Sequence, residues 1–278
     1  MVDARIIPDA PWLVGYANFL RGLGDGHPSI AQLNALLPAG VVSGGGAAIR
    51  FRASEKIPGV EYERHVFETG EVSTRANEWH DVFNALAWCR WPRLKAALNA
   101  AHYRSLDEAR GGRRGARRDA LTLLDESGAL VVSGDRGLLE ALAARDWQRA
   151  FVARREAWAG SRCLLCGHAL LQKLRAPYRA ITAHALLLQV DRRAAGEWGE
   201  SFLQTLDAWL AAALAAGGIC GTPADLSPLP LAGIPGWWAS GPQDAAFYAN
   251  AAVFRSAPAD HVTAPLWRVR PDADRLLY

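Results

Sequence analysis

The sequence predicts an α+β fold: a mostly helical single domain over residues 1–278, with a small antiparallel sheet and a Pro/Gly-rich C-terminal wrap. Three observations carry that reading. Apolar residues recur at helical spacing over residues 77–105 and 198–216. The β-rich runs are short and clustered, where a doubly wound sheet would alternate them with helices. From Gly217 onward the tail holds most of the late prolines, as an ordered surface loop would.

Taken in order, residues 1–45 form an N-terminal arm in which Pro28–Leu37 is a short helix, followed by a glycine turn at Ser43–Gly46. The α+β core then spans 46–216 and the irregular wrap 217–278. Ala47–Arg52 and Arg64–Glu68 read as strands by β-branched and aromatic content, the second stopped by Thr69-Gly70. Trp79, Val82, Phe83 and Leu86 fall on one helical face, and Leu94, Leu98 and Ala101 restart the stripe beyond Pro92. Two helices are expected, about 77–90 and 92–105, broken at Trp91-Pro92. A basic loop, Arg110–Arg118, leads into a hairpin of Ala120–Leu124 and Ala129–Val132 turned by Asp125–Gly128. Asp135–Arg145, Trp147–Trp158, Gly167–Leu174 and Trp198–Ala216 read as helices. Ile181–Val190 suits a strand or a helix.

Composition narrows the class. The chain has 278 residues, half of them hydrophobic and 21% charged, which excludes disordered, collagenous and coiled-coil proteins. Its apolar runs are too short to span a membrane, no signal sequence is readable at Met1–Arg5, and four cysteines are too few for a disulfide framework. A soluble cytoplasmic protein is expected, with no membrane partner. The net charge of +3 is localised: residues 104–118 carry six arginines against Asp107 and Glu108, a net +4, so the remainder nets −1.

The densest polar chemistry lies on the first predicted helix. His80 and Asn84 are one turn apart, with Asp81 beside them, on a helix that is apolar on its other side as well. Such a helix is buried, so these side chains need partners inside. On the next helix Lys95, Asn99 and His102 line up at i, i+4 and i+7. The pattern suits a catalytic or metal-binding pocket. His80 would be the general base or a metal ligand, Asp81 its orienting partner or a co-ligand, and Asn84 a substrate or oxyanion donor. Arg75 lies close in sequence, and His102, Asp119 and His168 are further catalytic candidates. The same spacing also suits buried hydrogen-bonding groups that only fix helix packing.

Residues 63–99 carry a TGE…TR…N-x-WHD-x-FNAL-x-W…P-x-x-K-x-x-LN pattern. With Arg118–Glu126, Gly167–Leu171, the Pro-Leu-Pro-Leu-x-Gly-Ile-Pro-Gly-Trp-Trp run ending at Trp238, and Phe247–Arg255, it resembles a bacterial family known as domain of unknown function 3025. The resemblance implies one shared architecture and no mechanism. It also implies a departure, since the family pattern has Glu where this chain has Gln172, so a His168/Glu acid–base pair would not operate here unaltered.

Cys163-x-x-Cys166 with His168 and His184 suggests zinc ligands, but the apolar setting and the missing second pair favour buried thiols. Arg113, Arg114, Arg117 and Arg118, with Lys95 and Asn99, are candidate substrate-binding residues, arginine being suited to phosphate. If the arginine loop closes over the pocket, the substrate is an anionic small molecule. Metal-assisted phosphoester hydrolysis, with a divalent metal as cofactor, is then the reaction class. Two alternatives stand beside it: a binding or assembly protein using Trp237 and Trp238, and a nucleic-acid binder using the 104–118 loop with a stacking Trp or Tyr103. No nucleophile elbow, Walker A, dinucleotide or zincin motif is present.

Overall fold

The computed structural model describes residues 9–24, 26–54, 57–108, 115–191 and 198–269. It is an α+β protein whose buried apolar side chains form a single cluster. Short helices α1 (Ala17–Leu23) and α2 (Ile30–Leu36) lead to strand β1 (Arg50–Ala53), which pairs in parallel with β2 (Glu71–Thr74). Between these strands runs α3 (Gly59–Thr69). The expected strand at Arg64–Glu68 is therefore helical. Thr69-Gly70 is indeed a stop signal, but for a helix: Gly70 takes φ 70° and donates its N–H to the Val66 carbonyl, a left-handed C-cap.

Helices α4 (Trp79–Arg90) and α5 (Pro92–Glu108) meet the expected break. Proline at the first position of α5 has no N–H to leave unsatisfied. The Asp207 carboxylate accepts from the next two, Arg93 N at 3.0 Å and Leu94 N at 2.9 Å. Within α4 every residue but His80 is buried, as apolar residues on both faces require. Trp91 pins the corner by donating from Nε1 to Tyr16 Oη and to the Leu165 carbonyl.

The predicted hairpin is a helix followed by a strand, α6 (Ala116–Ser127) and β3 (Gly128–Ser133). Ala120, Leu121 and Leu124 share one helical face and are fully buried, a spacing that a run of five residues is too short to reveal. Helix α7 (Arg136–Ala143) is capped by the Asp135 carboxylate. The stretch around Trp147–Trp158 forms only a π turn and a 3₁₀ turn. Then come β4 (Ser161–Leu165), α8 (His168–Lys173), β5 (Thr182–Gln189) and α9 (Glu200–Ala215). The tail adds β6 (Ser227–Pro230), a short α10 (Ala245–Tyr248) and β7 (Leu266–Arg268).

The main sheet is mixed rather than antiparallel. β3 lies between antiparallel β4 and parallel β5. The outer edge of β5 is shared: β6 covers residues 182–185 in antiparallel register and β7 covers 187–189 in parallel. Pro228 and Pro230 are tolerated in β6 because an edge strand has a side without ladder bonds. Gly128 and Gly167 sit back to back. A Cβ on Gly167 would strike the Gly128 backbone nitrogen and stand 2.6 Å from Ser127 Cα. This close approach joins the end of α6 to the start of α8.

Candidate active site

α3, β2 with its following turn, α4, α5, α6 and α8 together wall one open cavity of about 640 Å³. Helix α6 contributes a polar stripe: Arg118, Thr122, Asp125 and Glu126 recur at i, i+4, i+7 and i+8, opposite its buried apolar face. Helix α4 contributes His80, Asp81 and Asn84, and α8 contributes His168 and, one turn on, Gln172. Tyr62 and Glu63 come from α3, His102 from α5, and Ser73 and Arg75 from the β2 region.

Two histidines and a carboxylate converge on this wall. His80 Nε2 and His168 Nε2 are 3.2 Å apart, and the nearest Glu126 oxygen is 3.7 Å from His168 Nε2. One ligand atom from each lies within 4.8 Å of the other two, the only such metal-ready group among the described residues. Nitrogens bound to one ion at 2.0–2.1 Å in a tetrahedron stand about 3.3 Å apart, so the two imidazoles already have close to the required spacing. His168 is buried, and burial holds its imidazole down to about 3 against the pull of Asp125, leaving it neutral as a ligand must be. Its Nδ1 faces Asp125 Oδ2 at 3.8 Å. Lys95 Nζ in turn donates to Asp125 Oδ1 at 2.6 Å. Burial alone would raise the Asp125 carboxyl, but Lys95 and His168 hold it at about 2. At 3.8 Å the Asp125 carboxylate stands beside the His168 ring without a hydrogen bond, and the buried Nδ1 has no hydrogen-bond partner among the described residues.

Asp81 has a different role from the one its neighbour His80 suggests. It accepts from Arg75 N at 2.7 Å, Arg75 Nε at 2.8 Å and a terminal Arg75 nitrogen at 2.8 Å. Burial opposes its ionisation, and these bonds overcome that and depress the pKa. Asp81 thus ties the β2 turn to α4, with Asn77 in the left-handed region (φ 61°) between them, and lies outside the group of ligand atoms that His80 forms with Glu126 and His168. Asn84 donates to Tyr62 Oη at 2.8 Å, while its buried Oδ1 has no hydrogen-bond partner.

Of the other expected site residues, His102 and Arg118 line the cavity. Lys95 and Asn99 lie behind it: Asn99 accepts from Gly44 N and donates to Glu63. Asp119 is on α6 but outside the cavity wall. Arg117 turns away and donates to the Leu214 carbonyl at the end of α9. Arg113 and Arg114 lie outside the described residues. Arg117 and Arg118 thus point apart from one helix. Among the described wall residues acidic side chains outnumber basic ones, Glu63, Glu78, Asp81, Asp125 and Glu126 against Arg75 and Arg118. This balance suits a cation first and an anion only through it.

Cys163 and Cys166 are buried free thiols at the sheet, raised by burial, and His184 faces Ser127 Oγ at 2.8 Å rather than either sulfur. Glu126, Asp125, Tyr62 and Glu63 are among the wall residues that sequence reasoning did not propose for the site. Asp-Glu-Ser-Gly resembles a turn, and only the helical register of α6 turns its first two residues into the cavity.

The fold and site define an α+β protein built around a cavity that gathers two histidines and a carboxylate. The chain belongs to the family described as protein of unknown function (DUF3025), whose model matches residues 49–257 and so spans the whole cavity wall. No curated protein and no solved structure matches the chain. No helix among the described residues is long and apolar enough to cross a membrane.

Proposed function

We propose that the cavity is the active site of a divalent-metal-dependent hydrolase acting on an anionic ester, with phosphoester hydrolysis as the reaction class. The observation that carries this is the convergence of His80, His168 and Glu126 on an open wall. Three protein ligands facing a cavity leave a coordination position for water or substrate, as catalytic sites do and structural sites do not. The metal would supply a water acidified to near neutrality and a Lewis acid for the ester oxygen. Asp125, paired with Lys95, would set the negative charge beside His168. Arg118, which forms no ion pair among the described residues as Arg75 does with Asp81, would meet the substrate anion. Asn84 would orient it.

The alternatives draw less support. Tyr103 is stacked on Phe67 at 3.9 Å between centroids. Trp237 packs edge-on against Trp12, and Trp238 lies under Arg179. None of the three is presented as a free stacking platform.

The test is metal analysis after dialysis against Zn²⁺ or Mn²⁺, followed by assay of phosphomonoesters and phosphodiesters. The expected result is bound metal that is lost in His80→Ala, His168→Ala and Glu126→Gln, with turnover abolished by a chelator. A folded wild-type protein that retains neither ion and cleaves no phosphoester refutes the reading.

A further inference from the structure

Glu63 is a half-buried carboxyl on the cavity wall, and no salt bridge or metal group among the described residues accounts for it. Its setting is constructed. Gly44 approaches α5 so closely that a Cβ would stand 2.5 Å from Ala100 N, which only glycine permits. Gly44 N–H can therefore donate to Asn99 Oδ1 at 3.1 Å, and this fixes which end of the amide faces Glu63. Asn99 Nδ2 then donates to Glu63 Oε2 at 2.8 Å and to the Glu63 carbonyl at 2.9 Å. One oxygen is clamped as an acceptor and the carboxyl plane is set.

The charged and titratable groups around it are Lys95 and His102 from α5, Arg118 and Asp125 from α6, and Tyr62 from its own helix. Lys95 directs its ammonium to Asp125, so the two carboxyls receive opposite treatment: Asp125 a cation, Glu63 a neutral amide. We infer that Glu63 is the proton donor to the leaving oxygen in this cavity, an inference that rests on the hydrolase reading of the same site.

In the step, the oxygen of a water bonds to the ester phosphorus while the bond from phosphorus to the leaving oxygen breaks, its electron pair staying on that oxygen. Glu63 gives its proton to the leaving oxygen. The proton shed by the attacking water then restores Glu63, so an ester and a water become an alcohol and a phosphate. The electrostatics agree. Burial and Asp125 push the Glu63 carboxyl up to about 7, although the Asn99 bond, Lys95 and Arg118 pull the other way. An acid tuned near the working pH combines a useful protonated fraction with a ready transfer, and environments that drive two carboxyls apart mark such roles.

The experiment is a leaving-group series, alkyl to 4-nitrophenyl phosphoesters, on the metal-loaded wild type and on Glu63→Gln. The amide keeps an acceptor for Asn99 but holds no transferable proton. Metal content should be unchanged, with kcat falling about 100-fold or more on alkyl esters and by less than about tenfold on the nitrophenyl ester, whose leaving group needs no acid. An equal loss across the series, or none, overturns the inference. If the variant does not fold, the wild type decides alone: rates nearly independent of leaving-group pKa support the donor, and rates falling steeply with it overturn it. A metal-loaded wild type inactive on the whole series overturns instead the hydrolase reading on which the inference rests.

Discussion

Replacing Lys95 with methionine isolates the buried ion pair that backs the histidine cluster. Lys95 and Asp125 are almost sealed from solvent, with side chains 7% and 14% exposed and 2.6 Å between Nζ and Oδ1. At an effective dielectric of about 20, two unit charges at that distance attract by roughly 6 kcal/mol. Most of this is consumed in stripping both ions of water, so the pair as a whole contributes little net stability. Removing only one ion is different, because the carboxylate stays buried without its cation, and such deletions cost about 3–5 kcal/mol. Methionine fills the space of the lysine stem, so cavity formation adds little.

Urea unfolding of the metal-free protein at pH 7 should show that loss as a lower midpoint at unchanged slope. The double variant Lys95→Met/Asp125→Asn should recover a large part of it, because no charge then remains to be buried. The pH profile gives a second check. Asp125 sits at about 2, below its unfolded value of roughly 4, so its contribution is present above pH 4 and lost as pH falls from about 4 to about 2. In Lys95→Met that acid limb should vanish. A single variant costing less than about 1 kcal/mol, or a double variant no better than the single, would refute the argument that Asp125 depends on Lys95.

Two further outcomes follow from the same structure. Glu63 titrates at about 7 in the folded chain against roughly 4.5 unfolded, so its contribution is full below about pH 4.5 and lost as pH rises through 7. Relative to Glu63→Gln, the wild type should therefore lose on the order of 3 kcal/mol of unfolding free energy between pH 4.5 and 8.5, measured by urea titration at several pH values. At the glycine contact, Gly167→Ala forces a methyl group into the backbone of Gly128 and Ser127. It should cost about 2 kcal/mol or more in thermal unfolding and weaken metal retention, since it pushes His168 away from Glu126.

Much of this molecule was legible where the side-chain period was long. The helices at 79–90 and 92–108, their break at Pro92 and the burial of α4 follow from apolar spacing over many turns. His80 and Asn84 were singled out because a polar residue on a helix that is apolar on both sides must find partners inside, and His102 because it lines up with Lys95 and Asn99 on the next helix. Short runs misled. Residues 64–68 and 120–124 are five-residue pieces next to turn-like residues, and both are helical. The second error hid Glu126, because a carboxylate in a presumed turn has no fixed direction. The partners of the site residues were not legible either. Arg75 for Asp81 and Lys95 for Asp125 are set by tertiary packing over 6 and 30 residues, which local periodicity does not encode.

The divided outer edge of β5 bears on whether other chains could pair with this sheet. Ala185–Leu188 is an uninterrupted apolar stretch at the centre of the sheet, and an uncovered strand of that composition is a template for other chains to pair with. Its first half is guarded by β6, whose prolines cannot donate to a further strand. Its second half is guarded by three residues of β7, which lie beyond the region matched to the family. Cover of that edge thus falls partly to a peripheral segment remote in sequence from the cavity. A chain cut after residue 257 would keep every wall residue of the cavity and still expose a sticky edge.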